Sequence, residues 1–92
     1  MNDVQNRNRR FVFFYFNCEE PERIRQVVPA HVEYWHTSNL EGYMAGPFAD
    51  RTGGLISFLA TSLDEAMGVI GKDPFVLGDL IAEKWIKEWV PE

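Results

Sequence analysis

The sequence predicts an α+β fold, and three observations carry that expectation. An aromatic run, "RRFVFFYFNC" (9–18), reads as a strand. Two shorter runs, "GYMAGPFA" (42–49) and "LISFLAT" (55–61), flank the turn-forming "ADRTGG" (49–54) and read as a hairpin. Between and after these lie two stretches of helical composition, 19–39 and 61–72.

The first strand places Phe11, Phe13 and Tyr15 on one face and Val12, Phe14 and Phe16 on the other. A strand apolar on both sides needs cover on both sides. The next segment, "EEPERIRQVVPAHVEYWHTSN" (19–39), is helical but carries Pro29. Proline disfavours the helical conformation before it and removes a donor, so a kink or a new helix starting at Pro29 is expected. Beyond it, His31, Tyr34 and Trp35 recur at helical spacing, as do Val32, Trp35 and His36, and Asn39 and Gly42 bracket the stop. The second helix has the clearest start in the chain. Ser62 with Glu65 three positions later forms a capping box, Leu63, Ala66, Met67 and Ile70 form an apolar stripe, and Gly71 is the expected terminator. The last segment, "LIAEKWIKEWVP" (80–91), stays open. Ile81, Trp85 and Trp89 at intervals of four suit a helix, whereas Ile86, Val90 and the terminal Pro91 suit a strand. With a strand there, the order is βαββαβ, the ferredoxin-like arrangement with both helices on one face of an antiparallel sheet. The bare face would then be apolar, and two such sheets packed together would cover it. A homodimer through the open sheet face is therefore expected.

Ninety-two residues make one small domain, here 9–92, preceded by a polar stretch (1–8) expected to be a flexible tail. Such a chain buries only roughly 60–65% of its unfolded surface, yet it carries seven Phe, three Trp and three Tyr. That load also favours a second copy. The formal charge of −5 argues against phosphate backbones, so no nucleic acid is expected as partner. An RNA-recognition module shares the βαββαβ order, but the third strand offers only Phe58 and no basic pattern. Cys18, the single cysteine, cannot close an intramolecular disulfide and reads as an inert thiol. The longest apolar run, 11–16, is too short to cross a bilayer, and the first ten residues lack the apolar core of a secretory signal. No membrane association and a cytoplasmic location are the expectation.

Taken together, "PAHVEYW" (29–35), "GYMAGPFADRTGGLI" (42–56), "SLDEA" (62–66) and "DPFV" (73–76) resemble the YCII-related family, small proteins of the dimeric α+β barrel class. The resemblance extends over nearly the whole chain. It implies a strand at 80–90, a sheet-to-sheet dimer, and an active-site pair made by the histidine of the first helix and the aspartate before Pro-Phe, here His31 and Asp73. It also implies that Gly46 and Pro47 lie beside the cleft. At least one relative removes chloride from a hydroxylated, chlorinated aromatic ring.

As a general base at a helix start, His31 would feel the positive end of the helix dipole, which favours the neutral ring. Its bland reading is a polar residue at a helix start, partly covered by Tyr34 and Trp35. Asp73 has an equally good local role as the cap of a short turn begun by Pro74. The topology alone does not bring it to His31. Asp50 and Arg51 fit turn chemistry, with Arg51 also a candidate contact for a substrate anion. Tyr15, Tyr34, Trp35, Phe48 and Phe75 are candidate walls for an aromatic ligand, although aromatic stripes are more often core. His36 is poorly spaced from His31 for two ligands on one face, so neither a metal nor a cofactor is expected. The expected function is a small cofactor-independent enzyme. His31 and Asp73 would move a proton on a small cyclic or phenolic compound in an elimination, dehydrochlorination or isomerisation. The alternative is a non-catalytic dimer that binds a small aromatic or hydrophobic metabolite in the same cleft.

Overall fold

A computed structural model of the chain describes residues 9–92, so the expected tail at 1–8 lies outside the described residues. The element order is β1 (Arg9–Asn17), α1 (Pro21–Thr37), β2 (Met44–Pro47), β3 (Gly53–Ala60), α2 (Leu63–Ile70), α3 (Pro74–Leu77) and β4 (Ile81–Trp89). The four strands form one antiparallel sheet in the order β2-β3-β1-β4. This is the ferredoxin-like βαββαβ fold, with one short extra helix before the last strand.

Strand register decides which side chains meet the helices. Phe13 faces Ile56 on β3 and Ile86 on β4, and Phe11 faces Phe58. Side chains directly opposite one another share a face, so Phe11, Phe13, Tyr15, Ile56, Phe58 and Ala60 form one apolar layer. Trp35 of α1, Ala66 and Ile70 of α2, Phe75 of α3 and Leu80 close over it, and all are buried. Phe11, Phe13 and Phe58 are completely inaccessible. The opposite face carries Val12, Phe14, Leu55, Trp85 and Trp89, with no helix among the described residues over it. Trp85 and Trp89 are each about half exposed there.

Helix α1 corrects one expectation. It is continuous across Pro29, which sits on its exposed side. The missing N–H removes one helical bond, but the remaining turns are held by the buried Trp35 and by Ile24, Val27 and Tyr34 packed on the core. Pro21, at the first turn, begins the helix instead. Helix α2 starts as expected, with the Ser62 hydroxyl accepting from the Glu65 N–H at 3.1 Å. The Glu65 carboxylate reaches back to the Thr61 N–H at 2.8 Å.

Candidate active site

His31 is the eleventh residue of the 17-residue α1, well past its first turn. The dipole effect fades within that turn. The orientation of the imidazole therefore has another origin, and the structure shows it. His31 Nδ1 lies 2.8 Å from Asp73 Oδ1. A carboxylate only accepts, so the ring proton sits on Nδ1 and the Nε2 lone pair is left to face outward. The ring also stacks flat on Phe75, with centroids 4.0 Å apart and planes 9° from parallel.

Asp73 reaches this position through local chain chemistry. Helix α2 stops at Ile70, the Asp73 N–H donates to the Ile70 carbonyl at 3.1 Å, and Pro74 opens α3. Asp73 Oδ1 caps that helix by accepting from the Phe75 N–H at 2.9 Å. The cap anticipated from "DPFV" and the contact with His31 thus coexist on one oxygen. Oδ2 accepts from the Trp35 indole N–H at 3.1 Å. Asp73 is wholly inaccessible to solvent, and three donors converge on it. A buried carboxylate stays in place only when so satisfied.

Nε2 of His31 faces a cleft of about 470 Å³ between α1 and the β2–β3 end of the sheet. Of the side chains singled out in the sequence, His31, Trp35, Gly46, Pro47, Arg51 and Phe75 line it, as does Tyr15. Tyr34 and Phe48 do not. Tyr34 turns its hydroxyl onto the Val69 carbonyl at 2.5 Å and packs on α2. Phe48 continues the alternation of β2 onto the opposite face, where its ring meets Phe16 at 5.7 Å. Asn17, His36 and Tyr43 also line the cleft. Asn17 and Tyr43 stand at strand boundaries, where no periodicity marks them, and His36 drew attention only as a metal ligand. No group of three or more His, Cys, Asp or Glu side chains suited to a metal occurs among the described residues. No helix among them is long and apolar enough to cross a membrane.

The electrostatics of the cleft follow from its lining. Although acids outnumber bases by five over the chain, no acidic side chain among the described residues lines the cleft, whereas Arg51 does. Arg51 adopts a left-handed backbone (φ 65°) at the tip of the β2–β3 hairpin. The Asp50 side chain folds that tip by accepting from the Thr52 N–H and hydroxyl, which hold its carboxyl below the usual range. The Tyr15 hydroxyl is 3.5 Å from His31 Nε2. Burial, the negative charge of Asp73 and the neighbouring Tyr43 push its phenol up to about 12. Burial, then Asp73, raises Tyr43 in the same direction.

Comparison with known proteins bears on fold and family. No curated protein matches the chain significantly. Among solved structures, the chain is similar to the 5-chloro-2-hydroxyhydroquinone dehydrochlorinase of Burkholderia phenoliruptrix AC1100, solved in complex with 2,5-dihydroxybenzoquinone. The TM-score is 0.77 at 21% identity, over 88% of this chain and 93% of that one. It is also similar to Rv0793 of Mycobacterium tuberculosis, with a TM-score of 0.56 at 11% identity over 91% and 94% of the two chains. These identities speak to the fold alone, the α+β arrangement described above. The model of the YCII-related domain matches residues 9–90, nearly the full length, and the chain belongs to that family.

Proposed function

We propose that this protein is a small-molecule enzyme in which His31 acts as general base, Asp73 orients the imidazole and stabilises the cation it becomes, and the cleft binds a small cyclic or phenolic compound. The observation that carries this reading is the 2.8 Å contact between His31 Nδ1 and a fully buried carboxylate at the wall of an accessible cleft. A buried acid aligned on one ring nitrogen leaves the other as a proton acceptor and stabilises the imidazolium that forms. The lining of Tyr15, Trp35 and Phe75 suits a flat ring, and the lack of acids tolerates a phenolate. A dehydrochlorinase of hydroxylated aromatics on the same fold supports eliminations as the first class to try.

We propose further that a second copy covers the open sheet face. A groove of about 450 Å³ there is bordered by Val12, Phe14, Phe48, Leu55 and Trp89, with Lys87 and Glu88 at its margin. An apolar sheet face of this kind is self-complementary under two-fold symmetry.

The test is a turnover screen of chlorinated hydroquinones and unsaturated lactones, run on the wild type, His31→Ala and Asp73→Asn. Chloride release or isomerisation by the wild type, lost by about 10²–10⁴-fold in His31→Ala, is the expected result. Binding without turnover in all three proteins would leave a ligand-binding dimer and end the enzymatic reading.

A further inference from the structure

We infer that Tyr15 donates a hydrogen bond from its hydroxyl to a substrate oxygen that gains negative charge as His31 removes a proton. The substrate is then a ring ketone or phenol. This rests on the acid/base reading above and assigns that site a second group that touches the reacting atoms.

Four observations support it. Tyr15 projects from β1 into the helix-covered layer and is only 6% exposed, yet it lines the cleft. Its hydroxyl meets His31 Nε2 at 3.5 Å, which is too long for a strong hydrogen bond. A buried donor without a good acceptor, placed beside the base, is poised for an acceptor that the substrate brings. Gly54 stands directly opposite Tyr15 in the β1–β3 register. A Cβ at Gly54 would come 2.7 Å from the hydroxyl oxygen, so the sequence leaves out the one atom that would displace it.

The phenol is also in the right protonation state. With its titration pushed up to about 12, Tyr15 keeps its proton through the neutral range and serves as donor, never as base. In an enolisable ring the reacting carbon and the carbonyl oxygen are two bonds apart. Groups 3.5 Å from each other can therefore address both at once. In the step proposed, the substrate C–H bond breaks and its proton passes to Nε2. The electron pair delocalises onto the ring oxygen, where Tyr15 O–H meets it, while Asp73 balances the imidazolium. Isomerisation returns the proton to another ring carbon. In an elimination the electron pair of the broken C–H bond becomes a C=C bond, the C–Cl bond breaks with chloride taking its pair, and His31 releases its proton to water.

The experiment uses the full chain and ligands that mimic the charged oxygen. Phenol, 4-cyanophenol and 4-nitrophenol are titrated by calorimetry into the wild type and Tyr15→Phe, beside the methyl ether of each. Wild-type affinity should rise with phenol acidity. Tyr15→Phe should lose about ten- to a hundredfold for the most acidic phenol, bind the ethers as before, and melt within a few degrees of the wild type. An unchanged acidity dependence in Tyr15→Phe overturns the inference and leaves the cleft reading standing. Equal losses for phenols and ethers make Tyr15 a packing residue and also overturn it. If the wild type binds neither series, the cleft reading falls and takes this inference with it.

Discussion

Asp73→Asn is nearly isosteric, and the geometry around Asp73 predicts a large loss of stability all the same. The wild-type carboxylate accepts from three buried donors: the imidazole N–H and the Phe75 N–H on Oδ1, and the Trp35 indole N–H on Oδ2. An amide supplies one acceptor and one donor group. If its oxygen takes the Oδ1 place, its NH2 opposes the indole N–H. If it flips, the NH2 opposes the Phe75 N–H, and only His31 can adapt by changing tautomer. Either way one buried donor is orphaned, which costs about 1–3 kcal/mol. The surviving bonds lose charge assistance, about 1 kcal/mol each, while relief from burying a full charge offsets part of the sum. The net expectation is a loss of about 2–4 kcal/mol, or about 10–25 °C in melting temperature for a domain of this size. Urea denaturation of Asp73→Asn, Trp35→Phe and the double variant measures it. Removing the indole donor should recover part of the loss, giving a coupling of about 1 kcal/mol or more. An Asp73→Asn protein within about 0.5 kcal/mol of the wild type, or strictly additive effects, would refute the argument.

Three further outcomes are expected. The Tyr15 phenol titrates higher in the folded chain than when unfolded, so its contribution is fully present below about pH 10 and is lost as pH rises toward about 12. Denaturation series across that window should show a decline of at most about 2–3 kcal/mol that Tyr15→Phe lacks. Gly53→Ala should fail to accumulate as folded protein, because its Cβ would fall 1.8 Å from the Tyr15 carbonyl oxygen; circular dichroism and soluble yield report this. Trp85→Glu on the open sheet face should convert a dimer to a folded monomer in sedimentation velocity, and an unchanged assembly would remove that face from consideration.

Most of the fold was legible because β1 is an unbroken aromatic run too short for a helix, while α2 and the hairpin carry clear punctuation. The final strand was legible only through the family resemblance and not from its own pattern, and the reason is arithmetic. An interval of four positions keeps residues on one face of a helix and equally on one face of a strand, so Trp85 and Trp89 satisfy both. Pro29 was overweighted because its ring lies on the exposed side of α1, where losing one bond costs the helix least. The same error placed His31 near the helix dipole. Phe48 was misplaced because β2 is only four residues long and ends beside it, so its face depended on an alternation too brief to count. For the site, local chemistry announced the cap at Asp73 but not its second partner. A contact between positions 42 apart depends on how α1 lies across the end of α2, which no local pattern encodes.

The doubly engaged Oδ1 of Asp73 ties the imidazole to the main chain that leads into the last strand. The Phe75 amide hangs on that same atom, and the Phe75 carbonyl in turn receives the Leu80 N–H at 3.0 Å just before β4. Occupancy of the cleft is thereby mechanically continuous with the sheet margin. A guest that tightens the ring against its acid should slow deuterium uptake at amides 75 and 80, the second of which lies outside the cleft lining.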